Sequence, residues 1–587
     1  MQDSSHIVFP TILPTLLQVP LTSLHASALA TLITVAEDAL SRRVGAILPV
    51  LISQYQIQGT EEIHQCFEAL FTHINDEGIH FIMRIFNEQM SGGADTKNVI
   101  LECVSILCKL NHEDLNEYQG YWLSKCIALL SDQNVQVMAW RAFDALTARI
   151  NKGEQDKYVK FVRRGITEAT YGLNLSEEIH GFNLPKALAP FVQTLTYGLL
   201  YGDVSVREEA SLAFGDLVDR TSDVSLKPFV TQITGPLIRV LGDRFPAKVK
   251  AAILSTMSKL LTKVPQMLKP FLPQLQRTFC KCLTEPLGTQ RLRELAANCL
   301  SLLIPLQPRL DPLVVELVQG LKGGEDSGVK ISIWDALIGL VGQVRGSSKL
   351  NAGSLALVQE AIMIELLKTG ENDVLLRQGA GKCLGKFIGL LDSTQKQDVA
   401  QNVLSPEESN GWPTAHGQIL GLIAILPTLV DDIRIGSATE MASEYLKSDK
   451  APVATSAVDL ALLIISLVPE EISNLLPAIA ALIAPGPITE ARLAAIQLVN
   501  SLGTEGKLKK EHLPGFVPVL MSAARDRTLP IKLAAEKCLI NVFQLQEGNE
   551  YLNRYLKTLD SGASQSIGEY ATRVLTKIAA RESQENY

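Results

Sequence analysis

GDVSVREEASLAFGDL (202–217), GDRFPAKVKAAILSTMSKLL (242–261) and GTQRLRELAANCLSLL (288–303) follow one pattern. Each opens on a turn, continues with an apolar residue and then a basic one, and runs into a segment whose apolar positions recur three and four apart. That spacing marks a helix with one buried face. The pattern returns at SDQNVQVMAWRAFDAL (131–146), EDSGVKISIWDALIGL (325–340), ENDVLLRQGAGKCLGKF (371–387), SDKAPVATSAVDLALLI (448–464) and RDRTLPIKLAAEKCLI (525–540). The anchoring residues Val206, Val249, Leu292, Val329 and Leu376 lie 43, 43, 37 and 47 residues apart; Val453 follows after 77, then Ala491 and Ile531 after 38 and 40. Between the copies lie partner helices such as LKPFVTQITGPLIRVL (226–241) and LKPFLPQLQRTFCKCL (268–283), opened by prolines. Proline is tolerated in a first turn, where its missing N–H has no partner anyway. Two helices per unit of about 40 residues read as an all-α, HEAT/armadillo-type α-solenoid, a continuous right-handed superhelix of about 12 helix pairs.

Outward from this centre the repeat loosens. VFPTILPTLL (8–17), LHASALATLITVAEDAL (24–40) and VGAILPVLISQY (44–55) continue it irregularly, so residues 1–150 are read as N-terminal irregular repeats. Val137 to Val206 spans 69 residues, and the polar, glycine-bearing GITEATYGLNLSEEIHGFNLPK (165–186) is read as a long inter-helix loop inserted in a second segment, 151–350. Residues 351–587 form the C-terminal repeats, with LSPEESNGWPTAHG (404–417) opening a degenerate one.

Composition agrees. Of 587 residues 47% are hydrophobic but only 6% aromatic, which suits many similar aliphatic helix contacts and excludes disorder. The longest apolar runs, 419–430 and 457–468, fall short of the roughly 18–20 residues needed to span a bilayer, and residues 1–25 carry no charged leader with an apolar core. A soluble intracellular chain without membrane contact is expected. Nine cysteines (66, 103, 108, 126, 280, 282, 299, 383 and 538) form no C-x-x-C, and Cys280 and Cys282 point about 200° apart on a helix, so reduced, packed thiols are expected.

Catalytic motifs fail. In GAGKCLG (379–385) Leu376 stands where the first phosphate-loop glycine belongs and Cys383 replaces Ser/Thr; small residues there suit close helix packing. His112-Glu113 lacks a second histidine at helical spacing, no G-x-S-x-G occurs, and His64, His73 and His80 spread over at least two elements. The expectation is a chain that is not an enzyme and takes no cofactor or metal.

Charge is more specific. The net charge is −8, yet residues 227–281 carry Lys227, Arg239, Arg244, Lys248, Lys250, Lys259, Lys263, Lys269, Arg277 and Lys281 against Asp243 alone. Near 247–264, Val249, Ile253, Met257, Leu260 and Val264 form the buried stripe, while Lys248, Lys259 and Lys263 fall within about 60° of one another off it. Beside Arg207 they make a candidate positive ridge for RNA phosphate or an acidic protein surface. KYVKFVRR (157–164) is a weaker basic cluster. The basic residue after each anchor (Arg207, Lys250, Arg293, Lys330, Arg377, Arg492, Lys532) recurs at one repeat position, which points to structural bonds toward the next unit.

REEASLAFGDLVDRTSDVSLKPFVTQITGPLIRVLGDRFPAKVKAAI (207–253) and LKPFLPQLQRTF (268–279) resemble the C-terminal solenoid of the general control non-derepressible protein one family. ALATLITVAEDALSRR (28–43), GFNLPKAL (181–188) and PRLDPLVVELVQG (308–320) fit the same family in the same order, and ITGPLIRVLGDRF (233–245) is its most specific piece. The match reads well over 1–330 and thins after 350. The resemblance implies a cytoplasmic, ribosome-associated scaffold that binds the RWD domain of the kinase acting on initiation factor two alpha, and other RWD-bearing proteins, and relays translation stress to that kinase. It implies an arginine important for kinase binding, with Arg207 the first choice, then Arg239 and Arg244. With Lys248, Lys259 and Lys263 these are the candidate partner-binding residues. Family members are several times longer and carry an upstream region similar to elongation factor three, so this chain reads as a fragment or a shortened relative. The residues alone leave two alternatives: a ribosomal-RNA-binding solenoid, or an adaptor of the transport-receptor or phosphatase-scaffold type.

Overall fold

The computed structural model describes residues 5–544, apart from 111, 175–176, 324–325, 345–348, 368–369, 407–410 and 430–431, together with Thr576. The described residues are helical with no strand, and they fall into two compact units, Met1–Gln307 and Pro308–Tyr587.

In the first unit, after a leading helix Ser5–Leu16, helices pair as Ser23–Ala36 with Val44–Gln58, Glu61–His73 with Asp76–Gln89, and Ala94–Cys108 with Leu115–Ala128. Gln136–Arg149 pairs with Val159–Ala169, Ala189–Tyr201 with Val204–Arg220, Val230–Gly242 with Ala247–Lys263, and Leu272–Leu283 with Gln290–Leu303. First helices lie beside first helices and second beside second, which gives two layers with the core between them. That core is aliphatic: Val249, Ile253, Met257, Leu260 and Val264, the stripe expected for this helix, are all buried.

The second unit repeats the plan. Its first helices are Asp311–Gly323, Ala352–Leu367, Ser393–Leu404, Asp432–Tyr445, Ile472–Ile483 and Leu513–Ala523. Its second helices, Ser327–Gln343, Val374–Phe387, Trp412–Ile425, Ala451–Leu467, Thr489–Thr504 and Leu529–Gln544, stack each on the next. The all-α HEAT-type reading holds, and the described pairs, seven and six, agree with the expected number. The degenerate repeat opened at 404–417 is the pair Ser393–Leu404 and Trp412–Ile425, with 407–410 outside the described residues. The repeat expected over 525–540 is Leu529–Gln544, and most of the chain beyond it lies outside the described residues.

The structure corrects the register near residue 137. Helix Gln136–Arg149 belongs to the first layer, beside Ala94–Cys108, so Val137 is not the counterpart of Val206. Second-layer helices begin at 115, 159, 204, 247 and 290, in even steps of 44, 45, 43 and 43. Sequence pattern misplaced this helix because its turn and apolar spacing match both layers. Likewise 165–186 is not wholly a loop: Val159–Ala169 runs into it, and the described remainder is pinned. Ile179 and Phe182 are buried, the Ile179 N–H donates to the Arg220 carbonyl at 2.9 Å, and the Arg220 guanidinium donates to the carbonyls of Asn174 and Glu177. Gly181 sits so close to Leu130 that a Cβ there would lie 2.5 Å from its carbonyl oxygen.

All nine thiols are free and buried, and burial pushes Cys66, Cys108, Cys282, Cys383 and Cys538 up to about 12. They are packed as small hydrophobes. GAGKCLG lies within helix Val374–Phe387, where a Cβ on Gly381 would meet Leu420 at 3.0 Å, the close packing expected of it.

Candidate partner-docking surface

The sequence-selected basic residues divide between two environments. Lys248, Lys259 and Lys263 do share one side of helix Ala247–Lys263, but that side faces helix Val204–Arg220, which supplies carboxylates. Lys248 Nζ lies 3.1 Å from Glu208, and Lys259 Nζ lies 2.6 Å from Asp219 and 3.6 Å from Asp216. Lys263 Nζ donates to the Asp219 backbone carbonyl at 2.9 Å. Burial raises the Asp216 pKa, opposed by Lys259 and then Arg163, as befits a carboxyl enclosed at a seam. On the other flank Arg163 meets Glu209 at 2.6 Å, so part of KYVKFVRR belongs to the same ladder. The acids that neutralise the ridge precede residue 227, outside the window that made it look unopposed.

Arg207 is also committed. Its guanidinium donates to the carbonyls of Leu199 at 2.5 Å and Leu200 at 2.7 Å, capping helix Ala189–Tyr201, and lies 4.3 Å over the Phe245 ring of the next pair. Burial lowers its pKa, opposed by Asp243, without removing a charge that never leaves arginine at neutral pH. This double duty recurs. Arg293 reaches back to the carbonyls of Glu285 and Pro286, and Lys250 reaches forward to the Glu285 carboxylate at 2.8 Å. Arg377 reaches back to Gly370 and forward to His416; Arg492 reaches back to Ile483 and forward to Asp526 at 2.7 Å. The bond to an acid of the next unit, expected of this repeat position, is made by Lys250 and Arg492, whereas Arg207 and Arg377 reach an aromatic ring and a histidine; the backward bond to a carbonyl at or just beyond a helix end is an addition. It satisfies acceptors that every helix C-terminus leaves open.

Arg239 and Arg244 differ. Both side chains are exposed, in the last turn of Val230–Gly242 and in the turn that follows it. That turn has counterparts at 202–203 and 284–289, all linking first to second helices on one edge of the layered stack. The Arg207–Phe245 and Lys250–Glu285 contacts tie neighbouring turns together, and Lys281 Nζ donates to the Gly242 carbonyl at 2.7 Å. Along the edge stand Tyr201, 67% exposed and tilted against the Tyr197 ring at 4.8 Å, then Arg244 and Phe245, then Leu287, 94% exposed. Arginine and tyrosine, here Arg244 and Tyr201 on a rigid base, are residue types enriched in protein-binding hot spots. Tyr201 and Leu287 went unnoticed in the sequence; their equivalent positions in consecutive turns were the available signal.

Among the described residues no group of three or more His, Cys, Asp or Glu is placed to hold a metal, and no helix is long and apolar enough to cross a membrane.

Residues 8–186 and 311–586 each match a family model described as "Stalled ribosome sensor GCN1-like, HEAT repeats". The chain belongs to the GCN1-like HEAT-repeat family. It is similar to "eIF-2-alpha kinase activator GCN1" of Saccharomyces cerevisiae, 31% identical over 99% of this chain and 23% of that protein. It is also similar to "Protein ILITYHIA" of Arabidopsis thaliana, 30% identical over 94% and 21%, and to "Stalled ribosome sensor GCN1" of Mus musculus, 28% identical over 99% and 22%. The chain therefore spans between a fifth and a quarter of these relatives, and the likeness extends past residue 350, where the sequence pattern read as thinning. Among solved structures it aligns with Kap121p bound to Ste12p (12% identity, TM-score 0.48, 94% of this chain and 55% of that one). It aligns with importin beta at 14% identity, TM-score 0.42, over 98% and 81%.

Proposed function

We propose that this chain is a non-catalytic, cytoplasmic scaffold that works on the ribosome and docks the RWD domain of the kinase that phosphorylates initiation factor two alpha, coupling the state of translation to kinase activation. Membership of a family whose relatives are named for stalled-ribosome sensing and for activation of that kinase supports the coupling. The observation that carries the docking is the turn edge. Arg244 stands exposed between Tyr201 and Leu287, while Arg207, by its bonds to Leu199 and Leu200 and its seat on Phe245, holds that edge rigid. Lys248, half-exposed beside Glu208, adds a rim charge. Arg207 is then a positioning residue, and Lys259 and Lys263 hold the seam beneath.

The test is capture of the kinase RWD domain by the whole chain. Arg244→Glu with Tyr201→Ala is expected to lower affinity at least tenfold with an unchanged melting temperature. Lys259→Met is expected to lower the melting temperature and leave capture by the folded fraction intact. Undiminished binding by the Arg244→Glu, Tyr201→Ala chain refutes the site, and no binding by the parent chain refutes the function.

A further inference from the structure

Three consecutive first-layer helices at the end of the first unit are free of acids. First-layer helices Ala189–Tyr201, Val230–Gly242 and Leu272–Leu283 contain no Asp or Glu, whereas the second-layer helix Val204–Arg220 contains four, paired with Arg163, Lys248 and Lys259 as described. The outer side of the first layer presents Arg239, Arg277 and Lys281, all exposed, with Lys227 and Lys269 exposed in the turns that lead into two of the helices. The nearest acids along the chain, Asp203, Asp223, Asp243 and Glu285, are confined to turns or the short turn-like helix at 223–226, and Glu285 is held by Lys250.

The cations are also in register. LKPF occurs at 226–229 and again at 268–271, so Lys227 and Lys269 are one repeat position, and Arg239 and Lys281, 42 residues apart, are another. The bond from Lys281 Nζ to the Gly242 carbonyl fixes that register, and a neutral carbonyl leaves the ammonium its charge. With neighbouring helices about 10 Å apart and about 18 Å of rise between Lys227 and Arg239, the four corners frame a rectangle. Arg277 stands between two of them. The exposed polar side chains inside and beside it are Thr231, Gln232 and Gln274, with Gln193 on the next helix, and Pro228, Pro270 and Pro273 are exposed among them.

We propose that this outer face binds double-stranded RNA through its sugar–phosphate backbone, without reading sequence. Arginine and lysine with glutamine and threonine amides and hydroxyls are the groups that contact phosphate and sugar. Duplex RNA is recognised by shape and such contacts rather than by its deep, narrow major groove. A protein partner is disfavoured because helices Val230–Gly242 and Leu272–Leu283 expose no large apolar side chain to anchor it, the exposed Val224 and Met267 lying before the corners at Lys227 and Lys269. RNA on this face and an RWD domain on the turn edge are separable: one proposal survives the loss of the other.

The experiment measures binding of the whole chain to a fluorescent 20-base-pair RNA duplex of arbitrary sequence between 50 and 200 mM salt. Four to five phosphate contacts predict a slope of log K against log salt of about −4. Arg277→Glu/Lys281→Glu and, separately, Lys227→Glu/Lys269→Glu are each expected to cost at least tenfold and to flatten the slope by about 2, the second at unchanged melting temperature. The second variant breaks no bond described here, so it holds if the first misfolds. No binding, or equal binding by both variants, overturns the proposal. So does an equal loss from Arg244→Glu/Lys248→Glu, which would indicate diffuse charge. Loss of RWD capture with unchanged RNA affinity in either variant would make this a protein face and overturns it too.

Discussion

The contact that ties one helix pair to the next is most sharply tested at Lys250 and Glu285. Lys250 is 2% exposed, with its ammonium 2.8 Å from both Glu285 oxygens, while the Glu285 side chain is about one-third exposed. The two ends of this bond are therefore unequal. Glu285→Gln leaves a cation in the interior without its counter-charge, which costs about 3 kcal/mol, the low end for a buried pair because water already reaches the carboxylate. Lys250→Met removes the cation itself and keeps most of the aliphatic stem, leaving a carboxylate that solvent can hydrate, at about 1 kcal/mol or less. The double variant should resemble Lys250→Met. Hydrogen exchange suits a repeat array, where a single unfolding free energy is ill-defined. Amides of helix Ala247–Lys263 should exchange about 100-fold faster in Glu285→Gln and within about fivefold of the parent in Lys250→Met. Equal loosening by both, or none from Glu285→Gln, would refute the asymmetry.

Burial, and then Arg377, depresses the His416 pKa to about 4 from its ordinary 6.5. Arg377 Nε donates to its Nδ1 at 3.1 Å, so Nε2 carries the proton toward Ser456 at 3.2 Å. The unfolded chain then takes up a proton that the fold refuses, so stability is full above pH 6.5 and falls by on the order of 3 kcal/mol as pH drops to 4; acid titration of exchange in helix Trp412–Ile425 should show it, and His416→Gln should abolish it. Gly417→Ala places a Cβ 1.7 Å from the Leu366 carbonyl oxygen, backbone against backbone, and is expected to cost at least about 3 kcal/mol, read as a drop in melting temperature. Arg207→Ala uncaps the Leu199 and Leu200 carbonyls and should speed exchange at the end of helix Ala189–Tyr201 by about 2 kcal/mol, whereas RWD capture should fall less than it does in the Arg244→Glu, Tyr201→Ala chain.

The helices were legible in the sequence because burial writes itself as spacing: Val249, Ile253, Met257, Leu260 and Val264 lie on the buried side. Layer was harder to read. Gln136–Arg149 carries the same turn-and-stripe pattern as a second-layer helix, and only its neighbour, Ala94–Cys108, reveals its place. Charge was legible as composition but not as availability. Lys259 and Arg239 look alike in the chain, and the difference is Asp219, 40 residues before Lys259, brought to 2.6 Å by the stacking of helices. For the same reason the sequence did not show that Arg207 spends two of its N–H donors within the fold, on the Leu199 and Leu200 carbonyls. The absence of acids from helices Val230–Gly242 and Leu272–Leu283 was open to inspection once the two LKPF copies were aligned, which places Arg239 over Lys281.

Second-layer helices keep their 43–45-residue step straight through the stretch where the first layer widens. The extra chain after Val159–Ala169 leaves and returns without displacing either neighbour, since Ile179, Gly181 and Phe182 are moored while Tyr171, 92% exposed, and Gly172, at φ +82°, turn outward. The bend at Tyr171–Gly172 is thus a splice point: a peptide tag, a fluorophore or a whole inserted module could be grafted there, and the spacing of the pairs on either side would not register its length.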